Sequence, residues 1–461
     1  MADAPDTREL TLTLDFCLRV GDLLLSSGAG AADVAATMLS VARALGATQA
    51  EVDVTFTALT MSHQSTPDEW PLIATRHVRQ RVIDYQDLTR VDHLVRAVLR
   101  EEIDLNGARA ELLRITSTGH DRPRWAVTLG WGVMCAGIGV QLGGDWLVVL
   151  LAAVAAMGID RLQMTIARRR IPVFYQQVAG GLLATLIAVA AAATPLDVDV
   201  QLVVTANIIM LLAGIGFMGA LQDALTGFYI TAGARLTEAL LATAGIIAGV
   251  SGGLGLGSAV GVEIGRIDPG RAGIQEVGLA AVGAAFAAAA FAFSSYSPKR
   301  MLAPVAVVAA IAVAISQSVE MPQGIGRTWS VATAALFVGL VGYTVAGRLR
   351  VPPLILVVSA VVPMLPGLSI FRGLSLLADG DRVNTPEGLV ALMTAASVAL
   401  ALAAGVILGE YVAQPLKREA RRVESRLAGP RLIGPVMTLG RSGRASRASR
   451  QRRRRRDRAE P

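Results

Sequence analysis

From Trp125 onward the sequence is a series of long apolar runs, and this feature restricts what the chain can fold into. Lipid offers no hydrogen-bond partners to a peptide backbone, so a spanning segment must be a helix or part of a closed barrel. A helix needs about 20 apolar residues to cross about 30 Å of hydrocarbon. Ten runs approach that length, at residues 125–142, 146–159, 173–193, 202–221, 229–250, 277–293, 301–316, 331–345, 353–370 and 389–412. The sequence therefore predicts a polytopic α-helical membrane protein with about ten transmembrane helices.

The composition favours a membrane protein over a soluble enzyme. Hydrophobic residues make up 53% of the chain and charged residues only 17%, whereas a soluble domain is about a quarter charged. The first 123 residues differ, because they carry charges at ordinary soluble density and show both helix and strand periodicity. We expect helices at 10–27, 31–45, 88–100 and 105–115 and strands at 51–61 and 72–83. These elements predict a small N-terminal α+β domain.

The distribution of positive charge predicts the orientation in the membrane. After Tyr411 the chain has sixteen Lys/Arg and four acidic residues, so the tail is strongly basic and the remainder of the chain is net acidic. Loops on the side of the N-terminal domain also hold more Lys/Arg than the opposite loops, which places both termini in the bacterial cytoplasm. We expect a cytoplasmic domain (1–123), two five-helix membrane halves (124–254 and 255–412) and a basic, disordered cytoplasmic tail (413–461).

The sequence suggests few binding partners other than a small solute. The Arg-rich end at 452–456 suits the anionic lipid of the cytoplasmic leaflet, and no aromatic residues are interleaved with it, so we expect no nucleic acid. Cys17 and Cys135 lie on opposite sides of the predicted water boundary, and all four histidines precede the apolar runs. We therefore expect no metal site and no cofactor. The N-terminal domain also lacks a phosphate loop and a nucleophile motif, so we expect no catalytic residues and no enzyme activity. The oligomeric state is left open.

Part of the sequence repeats within the apolar region. Residues 212–217 (LAGIGF) align with 365–370 (LPGLSI) at an offset of 153. Further matched pairs are Gly227 with Gly380, Gly233 with Gly388, and Gly249 with Gly405. Each copy lies at the fourth and fifth runs of its group of five, and because five is odd the second group must cross the membrane in the opposite direction. Inverted repeats of this kind are typical of secondary transporters. The alternative is a chance match between segments rich in Gly and Ala.

Ionisable residues in or beside the apolar runs are candidates for the transport path, because a charge in lipid costs several kcal/mol. Asp223 and Glu238 flank the first repeated hairpin, and Arg235 is one helical turn before Glu238 on the same face. A desolvated carboxylate can take up a proton and couple solute movement to the proton gradient. Arg372 could bind a substrate carboxylate, and Asn207 a polar group of the substrate. The alternatives are ordinary interface residues for Asp223, Arg235 and Arg372, and a helix-tying hydrogen bond for Asn207.

Glycine and proline mark where the repeated helices are expected to break. The candidates are Gly214 and Gly227 in the first copy and Pro366 and Gly367 in the second. A helix that restarts after such a break presents free backbone N–H groups, which can bind an anionic group of a substrate.

These residues resemble the threonine/serine exporter family. The resemblance begins with LRVGDLLLSSGA at 18–29 and VARALG at 41–46, and it extends to about Glu410. The residues of this chain that match the family's hairpin are Gly214, Asp223, Gly227, Glu238 and Ala239, and the second copy keeps Pro366 and Gly367. Two positions depart from the family, since Ala213 stands where Pro is usual and Gly219 where Asn is common.

The resemblance implies secondary active export of small hydroxy amino acids, threonine and serine, driven by the proton gradient. Split relatives are associated with succinate, so export of another small carboxylate is the alternative substrate class. A membrane-anchored sensor or enzyme acting through the N-terminal domain, and a passive channel, are the alternative protein classes. If Glu238 carries protons, its replacement by Gln should reduce export while the protein stays in the membrane.

Overall fold

The computed structural model describes residues 7–66, 68–78, 83–195, 198–211, 214–261, 274–323, 326–378 and 385–418. Three features singled out from the sequence lie outside these residues: Ala213, Gly380 and the Arg-rich end of the tail. The predicted tail is corrected at its start, because the last helix continues to Arg418.

Among the described residues before Arg124, four helices and three strands form the N-terminal domain. In chain order they are α1 (Thr7–Ser26), α2 (Ala31–Ala44), β1 (Ala50–Val54), β2 (Ala58–His63), β3 (Leu72–His77), α3 (Tyr85–Leu99) and α4 (Leu105–Ser117). The sheet is antiparallel in the order β1-β2-β3, with Met61 opposite both Val52 and Ala74. Helices α1 and α2 pack against it, and the core between them contains the fully buried Leu14, Met38 and Leu59.

The strand predicted at 51–61 is in fact two strands joined by a turn. The N–H of Thr55 donates to the carbonyl oxygen of Ala58 (2.9 Å), and the Thr55 hydroxyl donates to the same oxygen (3.1 Å). The turn residues Thr55, Phe56 and Thr57 are types that favour strands. Composition therefore gave no sign of the turn.

Twelve α-helices follow within the described residues. They are α5 (Arg124–Gln141), α6 (Trp146–Arg168), α7 (Val173–Ala192), α8 (Val200–Leu211), α9 (Gly214–Leu225), α10 (Tyr229–Ala259), α11 (Ile274–Ser294), α12 (Leu302–Gln323), α13 (Arg327–Leu349), α14 (Pro353–Val361), α15 (Gly367–Ala378) and α16 (Thr385–Arg418). Every predicted apolar run falls on helix, and the fourth and ninth runs are each divided in two, as α8 with α9 and α14 with α15.

The number of helices able to span a membrane is smaller than the number of apolar runs. Seven helices in the described part of the chain are long and apolar enough: α6, α7, α10, α11, α12, α13 and α16. The α8–α9 pair, which is bent by 43°, makes an eighth if it is one span. Helix α14 with its following turn (Pro353–Met364) is a shorter apolar helix, and α5 is not among the seven. The breaks shorten the helices of the fourth and ninth runs, which a count of apolar residues does not register.

Glycines allow the closest helix pairs to approach. Helices α7 and α10 pack along each other, and so do α13 and α16. A Cβ added to Gly249 of α10 would overlap the carbonyl oxygen of Val178, and one added to Gly405 of α16 would lie 2.7 Å from that of Ala332. Helices α5 and α11 cross at Gly137 and Gly283, where a Cβ on each would lie 2.7 and 2.5 Å from the other's carbonyl oxygen. Such small-residue contacts hold helices together in lipid.

Candidate functional site

Two of the predicted path residues, Asp223 near the end of α9 and Arg235 in α10, meet in the structure. Arg235 Nη1 lies 3.1 Å from Asp223 Oδ2, and the two side chains are 10% and 1% exposed. Removing charges from water costs several kcal/mol per ion, and only pairing and further hydrogen bonds offset that cost. The pair is therefore part of a specific buried site, and the reading of these two residues as solvated loop positions does not fit their burial.

Both side chains also bond to the backbone of the N-terminal domain around Gly30. The N–H of Ala31 donates to Asp223 Oδ1 (2.9 Å), and Arg235 Nη2 donates to the carbonyl oxygen of Ala29 (3.1 Å). Ala31 is the first residue of α2, and the N-cap residue Gly30 has no capping side chain. Asp223 thus caps α2 from the membrane part of the chain, and its negative charge lies at the positive end of the helix dipole.

Two glycines shape the hairpin that carries the pair. Gly227 has φ +93°, a left-handed conformation that glycine adopts without strain, and it allows the N–H of Phe228 to donate back to the carbonyl oxygen of Asp223 (2.8 Å). A Cβ added to Gly219 would lie 3.0 Å from Arg235 Nη1. The departure from the family at Gly219 therefore leaves room for the buried guanidinium.

Glu238 lies outside this cluster. Its side chain is exposed on α10, whereas Arg235 one turn earlier is buried. The ion pair holds Arg235 toward Asp223 and the N-terminal domain. The predicted neighbours Arg235 and Glu238 therefore face different surroundings despite their spacing.

The remaining predicted residues, Asn207 and Arg372, lie on other helices. Asn207 is fully buried in α8, and its Nδ2 donates to the carbonyl oxygen of Val203 (2.9 Å). Within the described residues its Oδ1 accepts no hydrogen bond, which is uncommon for a buried acceptor. Arg372 is exposed on α15. Helix α15 contacts α8 and α10, and α9 contacts α16, so the two broken segments cross near one another.

Helix α15 begins at Gly367, and the aligned Gly214 is the first described residue of α9. Before the second break, a 3-10 turn (Val362–Met364) leads to Pro366. Gln141 at the end of α5 donates from Nε2 to the carbonyl oxygen of Pro363 (3.0 Å). This bond gives a backbone carbonyl oxygen of an irregular segment the hydrogen-bond donor that lipid does not offer. Sequence analysis missed Gln141, since a lone Gln at a helix end has no spacing signal.

A second set of contacts joins the N-terminal domain to α11 and to the loops after α11 and α13. The N–H of Tyr85, at the start of α3, donates to the carbonyl oxygen of Ser295 (2.9 Å). The Tyr85 ring is 1% exposed and packs edge-on against Phe291 with centroids 6.4 Å apart. Burial raises the pKa of the Tyr85 phenol, so it stays neutral. His93 Nε2 lies 2.9 Å from the carbonyl oxygen of Arg350.

Arg122 and Thr231 also bond the N-terminal domain to the helices that follow it. The Arg122 guanidinium donates to the carbonyl oxygens of Phe293 and Ser297 and lies 4.3 Å from the centroid of the Phe293 ring. Burial lowers the pKa of Arg122. The Thr231 hydroxyl donates to the carbonyl oxygen of Val54 (3.2 Å). The domain is thus bonded to the α9–α10 hairpin and to the loops after α11 and α13.

Two buried carboxylates among the described residues, Asp160 and Glu410, escaped the sequence analysis. Asp160 in α6 is 6% exposed, pairs with Arg124 of α5 and accepts the Thr128 hydroxyl (2.7 Å). The second apolar run ends at residue 159, so the sequence placed Asp160 in a loop, whereas α6 continues to Arg168. Its bonds tie α5 to α6. Among the described residues, no three His, Cys, Asp or Glu side chains are grouped to hold a metal ion.

Comparisons with known proteins match nearly the whole chain. The family model ThrE, described as a putative threonine/serine exporter, matches residues 15–257, and ThrE_2, described as Threonine/Serine exporter, matches residues 280–412. A probable threonine/serine exporter of Mycobacterium tuberculosis is 36% identical over 441 residues, covering 92% of this chain and 82% of that protein.

Two further relatives bear on the substrate. A threonine/serine exporter of Corynebacterium glutamicum is 31% identical over 426 residues, covering 91% of this chain and 86% of that protein. A probable succinate transporter subunit, YjjP, of Escherichia coli is 26% identical over 238 residues, covering 51% of this chain and 90% of that protein. No solved structure matches the chain significantly.

Proposed function

Because the chain belongs to the threonine/serine exporter family, we propose that it exports threonine and serine from the cytoplasm in exchange for protons. The family is one of transporters, so the chain is an exporter of the inner membrane with several spans and not an enzyme. The observation that carries the substrate proposal is the buried Asp223–Arg235 pair. A carboxylate beside a guanidinium offers complementary charges to both ends of an amino acid zwitterion.

Helix packing supports an architecture of ten spans in two inverted five-helix halves. In this arrangement each broken pair counts as one span and α5 also crosses. Every contact type in the first half has a counterpart in the second: α5–α6 with α11–α12, α6–α7 with α12–α13, α7–α8 with α13–α14, α9–α10 with α15–α16, and α7–α10 with α13–α16. The contact of α5 with α11 pairs equivalent helices, at Gly137 and Gly283. Reciprocal contacts of this kind are expected on a two-fold axis.

The loop charges support a cytoplasmic N-terminal domain and cytoplasmic termini. Arg168, Arg169 and Arg170 lie between α6 and α7, on the same side as the domain, and the basic tail follows α16. We place the tail against anionic lipid. In this orientation the domain covers the cytoplasmic ends of both membrane halves, through Asp223 and Arg235 on one side and Tyr85 and Arg122 on the other, and we propose that it gates them.

Proton coupling in this proposal runs through the hairpin carboxylates. In this proposal Asp223 releases Arg235 and accepts a proton during the transport cycle. Glu238, one turn beyond Arg235, exchanges protons with the surroundings of α10. Arg372 and the N–H groups at Gly214 and Gly367 attract the substrate carboxylate, and the Asn207 Oδ1 accepts from a substrate hydroxyl.

Succinate export is the second candidate, because the YjjP relative is named as a succinate transporter subunit. A dicarboxylate carries no ammonium group, so it would leave Asp223 facing a like charge. The ion pair therefore favours an amino acid.

The test is efflux of radiolabelled threonine, serine and succinate from loaded cells that express the chain, with and without an uncoupler. We expect efflux of threonine and serine that the uncoupler suppresses. Efflux of threonine and serine at the same rate with and without the uncoupler would indicate a passive channel. Efflux of succinate alone would show that the substrate is succinate and not an amino acid.

A further inference from the structure

The turn around Gly30 presents to Asp223 and Arg235 the same two kinds of group that a free amino acid would present. The N–H of Ala31 donates to the carboxylate of Asp223, as a substrate ammonium would. The carbonyl oxygen of Ala29 accepts from Arg235, as a substrate carboxylate would. The two groups lie on either side of a single residue, Gly30, and are separated by two more bonds than the ammonium nitrogen and carboxylate carbon of an amino acid, which share one Cα.

We propose that Asp223 and Arg235 bind the α-amino and α-carboxylate groups of the exported amino acid, and that the backbone of Ala29 to Ala31 occupies this site as an internal ligand between transport events. This inference rests on the proposed function, and it assigns to Arg235 the final binding of the carboxylate that Arg372 and the N–H groups at the helix breaks attract. It also gives the N-terminal domain a defined role, which is to compete with substrate.

The energetics allow such a competition. An uncompensated buried charge is strongly destabilising, so the pair needs partners whenever substrate is absent, and the Gly30 turn supplies them. The turn's hydrogen bonds to Asp223 and Arg235 have a charge on one side only, whereas those of a zwitterion have a charge on both sides, which adds Coulomb attraction. A zwitterion at sufficient concentration therefore displaces the backbone groups. The apparent Kd equals the intrinsic Kd divided by the fraction of time that the internal ligand leaves the site free.

The surroundings of Gly30 leave room for the side chain of a small amino acid. A Cβ added to Gly30 would lie 3.6 Å from Asp223 Oδ1, an ordinary contact, and would meet no other described heavy atom within 4 Å. A serine or threonine whose Cα took this place could direct its hydroxyl to the same carboxylate.

Displacement of the turn has a consequence for the domain. The hairpin side of the domain would be held only by remaining contacts such as Thr231 with Val54, while Tyr85 and Arg122 keep it on the second half. Substrate binding therefore loosens one side of the domain and not the other.

The chain offers a variant that removes one hydrogen bond of the internal ligand. Ala31 is the first helical residue of α2, a position that accepts Pro because its N–H has no partner within the helix. Gly30 has φ −67° and ψ 149°, the extended conformation that a residue before Pro prefers. Ala31→Pro deletes the N–H that bonds to Asp223, whereas the matched control Ala31→Gly keeps it.

The experiment measures equilibrium binding of labelled threonine to the purified full-length protein, together with export by cells at low internal threonine. We expect Ala31→Pro to bind threonine at least about threefold more tightly and to export faster below saturation, while Ala31→Gly behaves as wild type. Thr231→Val, which weakens docking without touching the turn, should shift binding in the same direction by less.

Structural damage from a substitution would weaken threonine binding and slow export. The proposal predicts the opposite, which is tighter binding and faster export. Unchanged or weaker binding in both Ala31→Pro and Thr231→Val would overturn the internal ligand. If the wild type exports neither threonine nor serine, the proposed function fails instead, and the two failures remain distinguishable.

Discussion

The two broken hairpins, α9–α10 and α15–α16, pack in corresponding ways but differ in chemistry. Both begin at a glycine, Gly214 or Gly367, and both pack their two helices together. The register of the proposed repeat aligns Asp223 with Leu376, Arg235 with Val390 and Glu238 with Met393. The first hairpin thus has charges where the second has apolar residues. The comparison teaches that this helix arrangement does not require charged residues at these aligned positions.

The N-terminal domain also makes chemically different contacts with the two parts of the membrane region. On the first hairpin it bonds to a buried acid and base through the Gly30 turn, and on the second half it inserts the Tyr85 ring beside Phe291. Apolar residues of similar volume often stabilise a protein as well as a buried ion pair does. A buried ion pair is therefore not needed for stability, and we propose that the charges of the first hairpin serve transport.

The largest expected effect comes from breaking the pair itself. Arg235→Gln leaves Asp223 buried without its cation, which costs about 3–5 kcal/mol for typical buried pairs, so we expect threonine export to fall at least about a hundredfold. The aligned control Val390→Ala should stay near wild type, because Val390 is 63% exposed. Initial efflux rates at equal amounts of membrane protein measure both. Equal losses in the two variants would mean that the hairpins do not differ in function.

The next largest effect is expected from variants that disturb the close helix packing found in both parts of the proposed repeat. Gly249→Val and Gly405→Val each force a side chain against a backbone carbonyl oxygen, and overpacking costs about 1–3 kcal/mol. We expect both to lower the thermal stability of the purified protein by similar amounts. Gly252→Ala is the control, since its Cβ would meet no described heavy atom within 4 Å. A loss confined to one half would argue against the repeat.

A smaller effect is expected at the turn of the first hairpin. Gly227→Ala places a Cβ on a residue with φ +93°, which costs about 1 kcal/mol, and this change should lower thermal stability slightly. Gly233→Ala, in the helix with open space around it, should leave stability unchanged or raise it. An unchanged melting temperature for Gly227→Ala would show that the turn is not constrained.

The smallest effect is expected at the exposed path candidates. Glu238→Gln and Arg372→Gln alter side chains that the structure leaves exposed, where neutralising a charge costs little. Each should reduce export less than Arg235→Gln does. A loss in Glu238→Gln as large as that in Arg235→Gln would move the proton site away from the ion pair.

Much of the fold could be predicted because its causes are local. Apolar runs and periodicity indicate helices wherever they occur, and the paired glycines mark both breaks. The continuation of α6 beyond residue 159 could not be predicted from the sequence. Asp160 can be buried there only because it pairs with Arg124, which belongs to another helix. The turn at Thr55 was hidden because its residues favour strands.

The candidate site was predicted in its residues but not in its partners. Asp223 and Arg235 could be found from their charge in an apolar setting. Their bonds to Ala31 and Ala29 join residues about 200 positions apart, and those two backbone groups carry no side-chain signal. Tyr85 was missed for a related reason, since a single aromatic residue before a helix does not reveal that it inserts into another domain.

The central claim is that Asp223 and Arg235 form the transport site. Its most direct test is exchange of labelled threonine in proteoliposomes holding wild-type protein, Asp223→Asn or the aligned control Leu376→Ala, with and without an imposed pH gradient. We expect exchange by the wild type and the control, stimulated by the gradient, and none by Asp223→Asn. Exchange by Asp223→Asn at the wild-type rate would contradict the claim.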